Sequence, residues 1–169
     1  MVPFETLPAD ARVWVFASDR PLEGEQAELL LGAVDQYLGE WKAHGQALTC
    51  ARAWRDGRFL AIAVDQRDAF ASGCSIDGMF RVLQQLQQPL GASLVGGGRV
   101  FYRRADGSIA CVDRNDFSAL DVTGTTPVFD QTVATVADWQ SRFETQAGSS
   151  WHSALLRSSS RAEPISART

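Results

Sequence analysis

"WRDGRFLAIAV", Trp54 to Val64, is the stretch whose reading sets the fold class. Asp56-Gly57 sits between two β-rich segments, Leu48 to Trp54 and Arg58 to Val64. A two-residue type I′ turn needs positive φ at both centres, and Asp-Gly supplies it, so the two segments are predicted to form a hairpin. "FLAIAV", Phe59 to Val64, is apolar at every position. A strand with one wet face would alternate, so this strand is predicted to be central in its sheet and buried on both faces.

The pattern extends in both directions. "RVWVFA", Arg12 to Ala17, reads as a buried strand. "SDRPLEGEQ" then gives a turn and a helix start, with Ser18 or Asp19 as cap and Pro21 early. That helix is expected to run to about Ala43, with Leu30, Val34, Tyr37, Leu38 and Trp41 on its core face and His44-Gly45 as its stop. After the hairpin, a loop from Asp65 to Gly73 leads into "ASGCSIDGMFRVLQQL". This second helix turns Ile76, Met79, Phe80, Leu83 and Leu86 inward and Gln84, Gln85, Gln87 and Gln88 outward, and ends at Pro89 and Gly91. "RVFYRRADGSIACVDR", Arg99 to Arg114, is a second hairpin turning at Asp106-Gly107. A last helix is expected over Thr132 to Gln146. The order β-α-β-β-α-β, plus a strand and a helix, predicts an α+β fold: a ferredoxin-like antiparallel sheet with an extra C-terminal strand and helix. Residues 1–157 are expected to form a single domain, and "SSSRAEPISART", 158–169, a disordered tail.

Composition narrows the function classes. With 45% hydrophobic and 21% charged residues, the chain is an ordinary globular protein and not a disordered one. A net charge of −4 argues against a nucleic-acid partner. Fifteen of the sixteen basic residues are arginine, so any mechanism needing a lysine besides Lys42 is excluded. The opening "MVPFETLPADARVWVF" has no basic stretch ahead of a long apolar run and is not expected to be a signal peptide. The longest apolar run, Phe59 to Val64, is far short of the roughly 20 residues a bilayer requires, so no membrane partner is expected. Cys50, Cys74 and Cys111 form no Cys-x-x-Cys or Cys/His ligand pattern. Free thiols in a reducing cytoplasm follow, with no metal and no cofactor. "VGGGRV", Val95 to Val100, lacks the lysine and hydroxyl of a P-loop. Arg81 stands seven positions after Cys74, one too many for a phosphatase loop, and no metalloprotease, serine-hydrolase or paired-carboxylate motif is present.

The predicted topology gathers chemistry at one edge of the sheet. The first helix delivers Trp41 and His44 there, the third strand ends there at Asp65, and the second helix begins there with Ser72, Gly73, Cys74, Ser75 and Asp77. The fourth strand is expected to bring Arg103 and Arg104 to the same edge, while Asp19 belongs to the opposite one. Ser75 is the expected N-cap, which sets Cys74 one residue outside the helix, near the positive end of its dipole. A thiol there has a lowered pKa, with His44 as base and Asp65 to orient the imidazole. Asp77 opposes this, since a nearby carboxylate raises a thiol pKa. The plainer alternatives are that Cys74 is a packing residue, His44 caps a helix end and Arg103 belongs to a solvated strand end.

"EWKAHGQAL", "RFLAIAVDQ" and "ASGCSIDGMFRVLQQL" together resemble a group of small uncharacterised bacterial proteins that share a W-x-x-H-G element and an SGCSID element. The resemblance covers about Arg12 to Tyr102. Many members carry the automatic label "ABC transporter ATPase", but this chain has no Walker motif, so no ATPase chemistry follows. What the resemblance adds is that its two shared elements are the ones the predicted topology brings together.

Two functions of different class are therefore expected. One is a module binding a small ligand or a protein at the edge of His44, Asp65 and Cys74, with Trp41, Ser72, Gly73, Ser75, Asp77 and Arg103 around it. The other is a thiol-dependent enzyme or redox-sensitive protein using Cys74 with His44. The tail gives a direct check on the domain limits: deleting 158–169 should leave the melting temperature nearly unchanged, because the segment has no apolar periodicity. A drop of several degrees in a thermal melt would show that it docks on the body.

Overall fold

The computed structural model describes residues 1–43, 45–67, 71 and 73–156, with Cys74 and Ser75 by their backbone alone. In chain order the elements are β1 (Arg12–Ala17), α1 (Glu25–Gly39), β2 (Lys42–Ala43), β3 (Gln46–Ala47), β4 (Cys50–Arg55), β5 (Phe59–Val64), α2 (Gly73–Leu90), β6 (Arg99–Arg103), β7 (Ile109–Asp113), α3 (Arg114–Phe117), β8 (Pro127–Phe129), α4 (Val136–Arg142) and β9 (Glu144–Gln146). Short 3₁₀ turns occupy Phe4–Thr6, Ala147–Ser149 and Trp151–Leu155. The fold is mixed α+β, built on antiparallel sheets.

The hairpin forms as predicted, with Asp56 and Gly57 at φ +56° and +63°. β5 is the centre of a three-stranded sheet of order β1-β5-β4, antiparallel to both neighbours, with Val13 opposite Ala63 and Ala51 opposite the same residue. Every β5 side chain is buried. Alternation then assigns two cores. Leu60, Ile62 and Val64, with Trp14 and Phe16 of β1, pack beneath α1 and α2 against Leu30, Val34, Leu38, Met79 and Leu83. Phe59, Ala61 and Ala63, with Val13 and Ala17 of β1 and Ala51 of β4, form the opposite face.

That second face decides where the rest of the chain goes. A ferredoxin-like sheet would take the fourth strand beside β1. The first three strands do have the expected order, but β6 joins a second, four-stranded sheet of order β7-β6-β8-β9. The physical reason is burial. Adding β6 to the first sheet would leave Phe59, Ala61, Ala63 and Val13 against water, at roughly 25 cal/mol for each Å² left exposed. Lying across that face instead, the second sheet and α4 bring Phe101, Phe129, Phe143 and Trp139 onto a floor largely of alanine. The start of the free edge of β1 is bridged by the segment entering α4: Val13 N–H donates to the Ala134 carbonyl at 2.9 Å, and Val136 N–H to the Ala11 carbonyl at 3.0 Å. The outer face of the second sheet is covered in turn by Phe117, Leu120, Val122, Trp151 and Leu155 around Val100 and Val128.

Several boundaries differ from the sequence expectation. α1 begins at Glu25, not near Ser18: Ser18 is fully buried, and the Asp19 carboxylate accepts the Ser93 N–H at 3.0 Å. α1 also stops at Gly39, and Lys42–Ala43 pairs with Gln46–Ala47 as the β2–β3 ladder, with Gly45 at φ +82°. α2 runs through Pro89 and ends in a Schellman turn, in which Gly91 (φ +58°) donates to Gln88 and Ala92 donates to Gln87. Gln87 does not simply face water, since its side-chain oxygen accepts the Leu94 and Val95 N–H groups. Gly78 is where α2 comes against α1, and a Cβ there would overlap the Tyr37 hydroxyl. The expected long last helix is only α4, because Phe143 ends it in the core and β9 follows. The tail expected over 158–169 lies outside the described residues.

Phe59 stands at the centre of the aromatic cluster, 4.6 Å from Phe129, 5.0 Å from Phe143 and 5.3 Å from Phe101 between ring centroids. Replacing Phe59 by Ala should lower the unfolding free energy by about 3–5 kcal/mol in urea titrations. A loss below about 1 kcal/mol, the scale of a surface change, would show that the two sheets do not depend on this ring.

Candidate functional site

Asp65 follows β5 directly, and its own N–H donates to the Thr49 carbonyl at 2.9 Å. It is one of the few buried charged residues, 6% exposed. Arg67, two positions on, closes over it: Nε lies 2.9 and 3.1 Å from the two carboxylate oxygens, Nη2 lies 2.6 Å from Oδ2, and the Arg67 N–H donates to Oδ1 at 3.1 Å. Hydrogen bonding from Arg67 holds the Asp65 carboxyl below the usual carboxylate range, and the guanidinium charge adds to this. Asp65, Gln66 and Arg67 line a shallow cleft of about 210 Å³ with Asp10 and Ala11.

The other expected members are placed differently. His44 and Ser72 lie outside the described residues, as do the side chains of Cys74 and Ser75. The backbone of Cys74 and Ser75 lies inside the first turn of α2, which starts at Gly73, so Ser75 is not at the N-cap position and Cys74 is not outside the helix. Gly73 and Asp77 are exposed. Trp41 is at the Asp65 end of the sheet, since the Leu48 N–H donates to its carbonyl and Thr49 follows. Its side chain is buried, edge-on to Trp14 at 6.4 Å and tilted against Tyr37 at 5.8 Å. It is a core residue and offers no surface for contact.

Arg103 does not reach this edge. It stands at the far end of β5, beside the hairpin turn, roughly 20 Å of strand away from Asp65 at about 3.3 Å per residue. Arg103 Nε donates to Glu144 at 2.7 Å, and its Nη2 lies 3.8 Å from Asp56. Arg55 bonds Glu144 from the other side and Asp56 at 3.1 Å. These four alternating charges fasten the β4–β5 turn to the second sheet. The Arg103 hydrogen bond keeps the Glu144 carboxyl low, with the charges of Arg103 and Arg55 in support. The two guanidinium groups also lie over Phe129 and Phe143, at 5.2 and 5.5 Å from the ring centres.

Two features carry no motif in the sequence. Arg67 is signalled only by its spacing from Asp65. The other is His152, fully buried in the last 3₁₀ turn. It stacks on Trp151 at 3.9 Å, and its Nδ1 lies 2.8 Å from the Ser150 hydroxyl. Its Nε2 is buried and has no hydrogen-bond partner among the described residues. Burial pulls the imidazole down to about 4, against the attraction of Asp130, so it is neutral at pH 7.

Comparison of the chain with protein-family models, curated proteins and solved structures gave no match in any of the three. Among the described residues no group of three His, Cys, Asp or Glu side chains could hold a metal ion, and no helix is long and apolar enough to cross a membrane.

His152 makes stability depend on pH with a definite sign. Its folded pKa of about 4 lies below the ordinary value of 6.5, so between these limits the unfolded chain binds the extra proton. Stability should therefore fall as pH drops from 6.5 towards 4, with a slope of up to roughly 1.4 kcal/mol per pH unit. Urea midpoints across that window should show the slope in the natural chain and a flatter line in His152→Phe. Equal slopes would mean that His152 takes up its proton without unfolding.

Proposed function

We propose that this chain is a non-catalytic binding module of the bacterial cytoplasm. In this reading the strand order of β1, β5 and β4 with α1 and α2 is a ferredoxin-like half. Its contact surface for a small molecule or a protein is the edge where β5 ends at Asp65, with His44 and Cys74 beside it. The observation that carries this reading is the Arg67 fork. Both Asp65 oxygens are engaged by a side chain two residues away, so in this reading Asp65 acts as a structural anchor for the edge. The shallow cleft of Asp10, Asp65 and Arg67 offers a charged surface without a thiol, hydroxyl or imidazole among its described lining groups.

One observation favours the thiol enzyme as a second reading: the backbone of Cys74 lies in the first turn of α2, where a helix dipole lowers a thiol pKa. The other two thiols have the opposite setting. Burial raises the pKa of Cys50, which is enclosed in β4 with its sulfur 3.5 Å from the Leu38 carbonyl, and it raises that of Cys111 in β7. Alkylation with iodoacetamide followed by peptide mapping should thus label Cys74 first. For a binding module, its rate should rise with pH through the ordinary thiol range, near about 8.5. A midpoint two or more units lower would transfer the case to the enzyme, and prior labelling of Cys50 or Cys111 would remove Cys74 from both readings.

A further inference from the structure

The Gly96–Gly98 loop is held at both ends and left open in the middle. On one side Asp19 Oδ1 accepts the Ser93 N–H at 3.0 Å, and Gln87 Oε1 accepts those of Leu94 and Val95 at 2.9 and 3.0 Å. On the other side the Gly98 carbonyl accepts the Arg114 N–H at 2.7 Å. Between these anchors the N–H groups of Gly96, Gly97 and Gly98 have no partner among the described residues. Gly98 has φ +84°, and a Cβ on Gly97 or Gly98 would meet nothing within 4 Å, so the backbone faces open space.

This backbone forms a wall of a cleft of about 310 Å³, completed by Arg99, Arg114 and Trp151. No carboxylate lines it, although the chain as a whole carries −4. Arg114 makes no ion pair with a described residue; its guanidinium lies over the Trp151 ring, 5.1 Å from the centre. Arg99 has only a 3.8 Å approach to Asp19. Asp130 Oδ1 accepts the Thr132 N–H and the Trp151 Nε1–H, which fixes the indole that carries Arg114. The cleft lies at the end of the sheet opposite Asp65, since its neighbours Asp19 and Ala17 are at the Phe59 end of β1.

Consecutive free N–H groups beside two guanidinium groups are the donor set that an oxyanion requires. Three amides and two arginines exceed what one carboxylate can accept and suit the terminal oxygens of a phosphate. The volume lies at the small end of ligand sites, enough for a phosphate with a short organic part. We propose that Gly96, Gly97, Gly98, Arg99 and Arg114 bind the phosphate group of a small soluble phosphate ester. This site is separate from the Asp65 edge and stands or falls independently of it.

The test uses the full chain labelled with ¹⁵N. Inorganic phosphate and glycerol phosphate are titrated in turn at constant ionic strength, with chloride as the balancing anion. Saturable shifts centred on the Gly96, Gly97 and Gly98 amides are expected. Arg114→Gln should weaken the affinity by about tenfold, the scale of one charge-assisted contact. Arg104→Gln, on the exposed β6–β7 turn, should leave it unchanged. Shifts that grow linearly with salt, that centre elsewhere, or that are identical in Arg114→Gln would overturn the assignment, and the natural chain alone decides it should that variant not fold. Co-sedimentation with phosphatidylcholine vesicles containing phosphatidic acid, without a response to the soluble phosphates, would overturn the soluble-ester assignment.

Discussion

The burial of β5 on both faces is the constraint from which the remaining architecture follows. Six consecutive apolar side chains cannot be covered by one layer. Helices α1 and α2 take the face of Leu60, Ile62 and Val64, and the opposite face needs a second layer of comparable size. Phe59 is the point where that layer is gripped, because Phe101, Phe129 and Phe143 all meet its ring. The alanines at 51, 61 and 63 matter for the complementary reason. Small side chains let the aromatic rings descend onto the sheet, and larger ones would hold the two layers apart.

The other interlayer contacts are secondary to this apolar seam. The Arg55, Asp56, Arg103 and Glu144 group sits at its rim, partly solvated, so its pairs contribute modestly each. Its clearer effect is on register, since alternating charges, each arginine shared between Asp56 and Glu144, tolerate little sliding between the hairpin turn and β9. The segment 134–136 pairs with the start of the free edge of β1, at Ala11 and Val13.

The two ends of the sheet therefore differ in kind. At the Asp65 end, a buried carboxylate is neutralised locally by Arg67, and Trp41 is sealed into the core. At the Phe59 end, the chain crosses from one layer to the other through Gly96 to Gly98, which line a cleft with Arg99 and Arg114. A crossing between layers is where backbone donors most readily escape secondary structure. That makes such crossings natural places for recognition, in the way that loops on rigid scaffolds carry function elsewhere.

The sequence by itself determined what depends on neighbours along the chain. The Asp56-Gly57 and Asp106-Gly107 turns, the central position of "FLAIAV", the inward faces of α1 and α2, and the stop at Gly91 all follow from local φ preference and periodicity. The candidate edge was legible only in part: the position of Asp65 followed from the strand that ends there, while the Arg67 fork over it carried no motif. Only the tertiary structure decided the partner of β6, the removal of Arg103 to the far end of β5, and the meeting of Asp19, Gln87 and Arg114 around the glycine loop. Those outcomes depend on how apolar area is shared between layers. "RVFYR" pairs equally well in either sheet as far as its own residues are concerned, and it was the uncovered face of Phe59, Ala61 and Ala63, forty residues earlier in the chain, that drew it into the second.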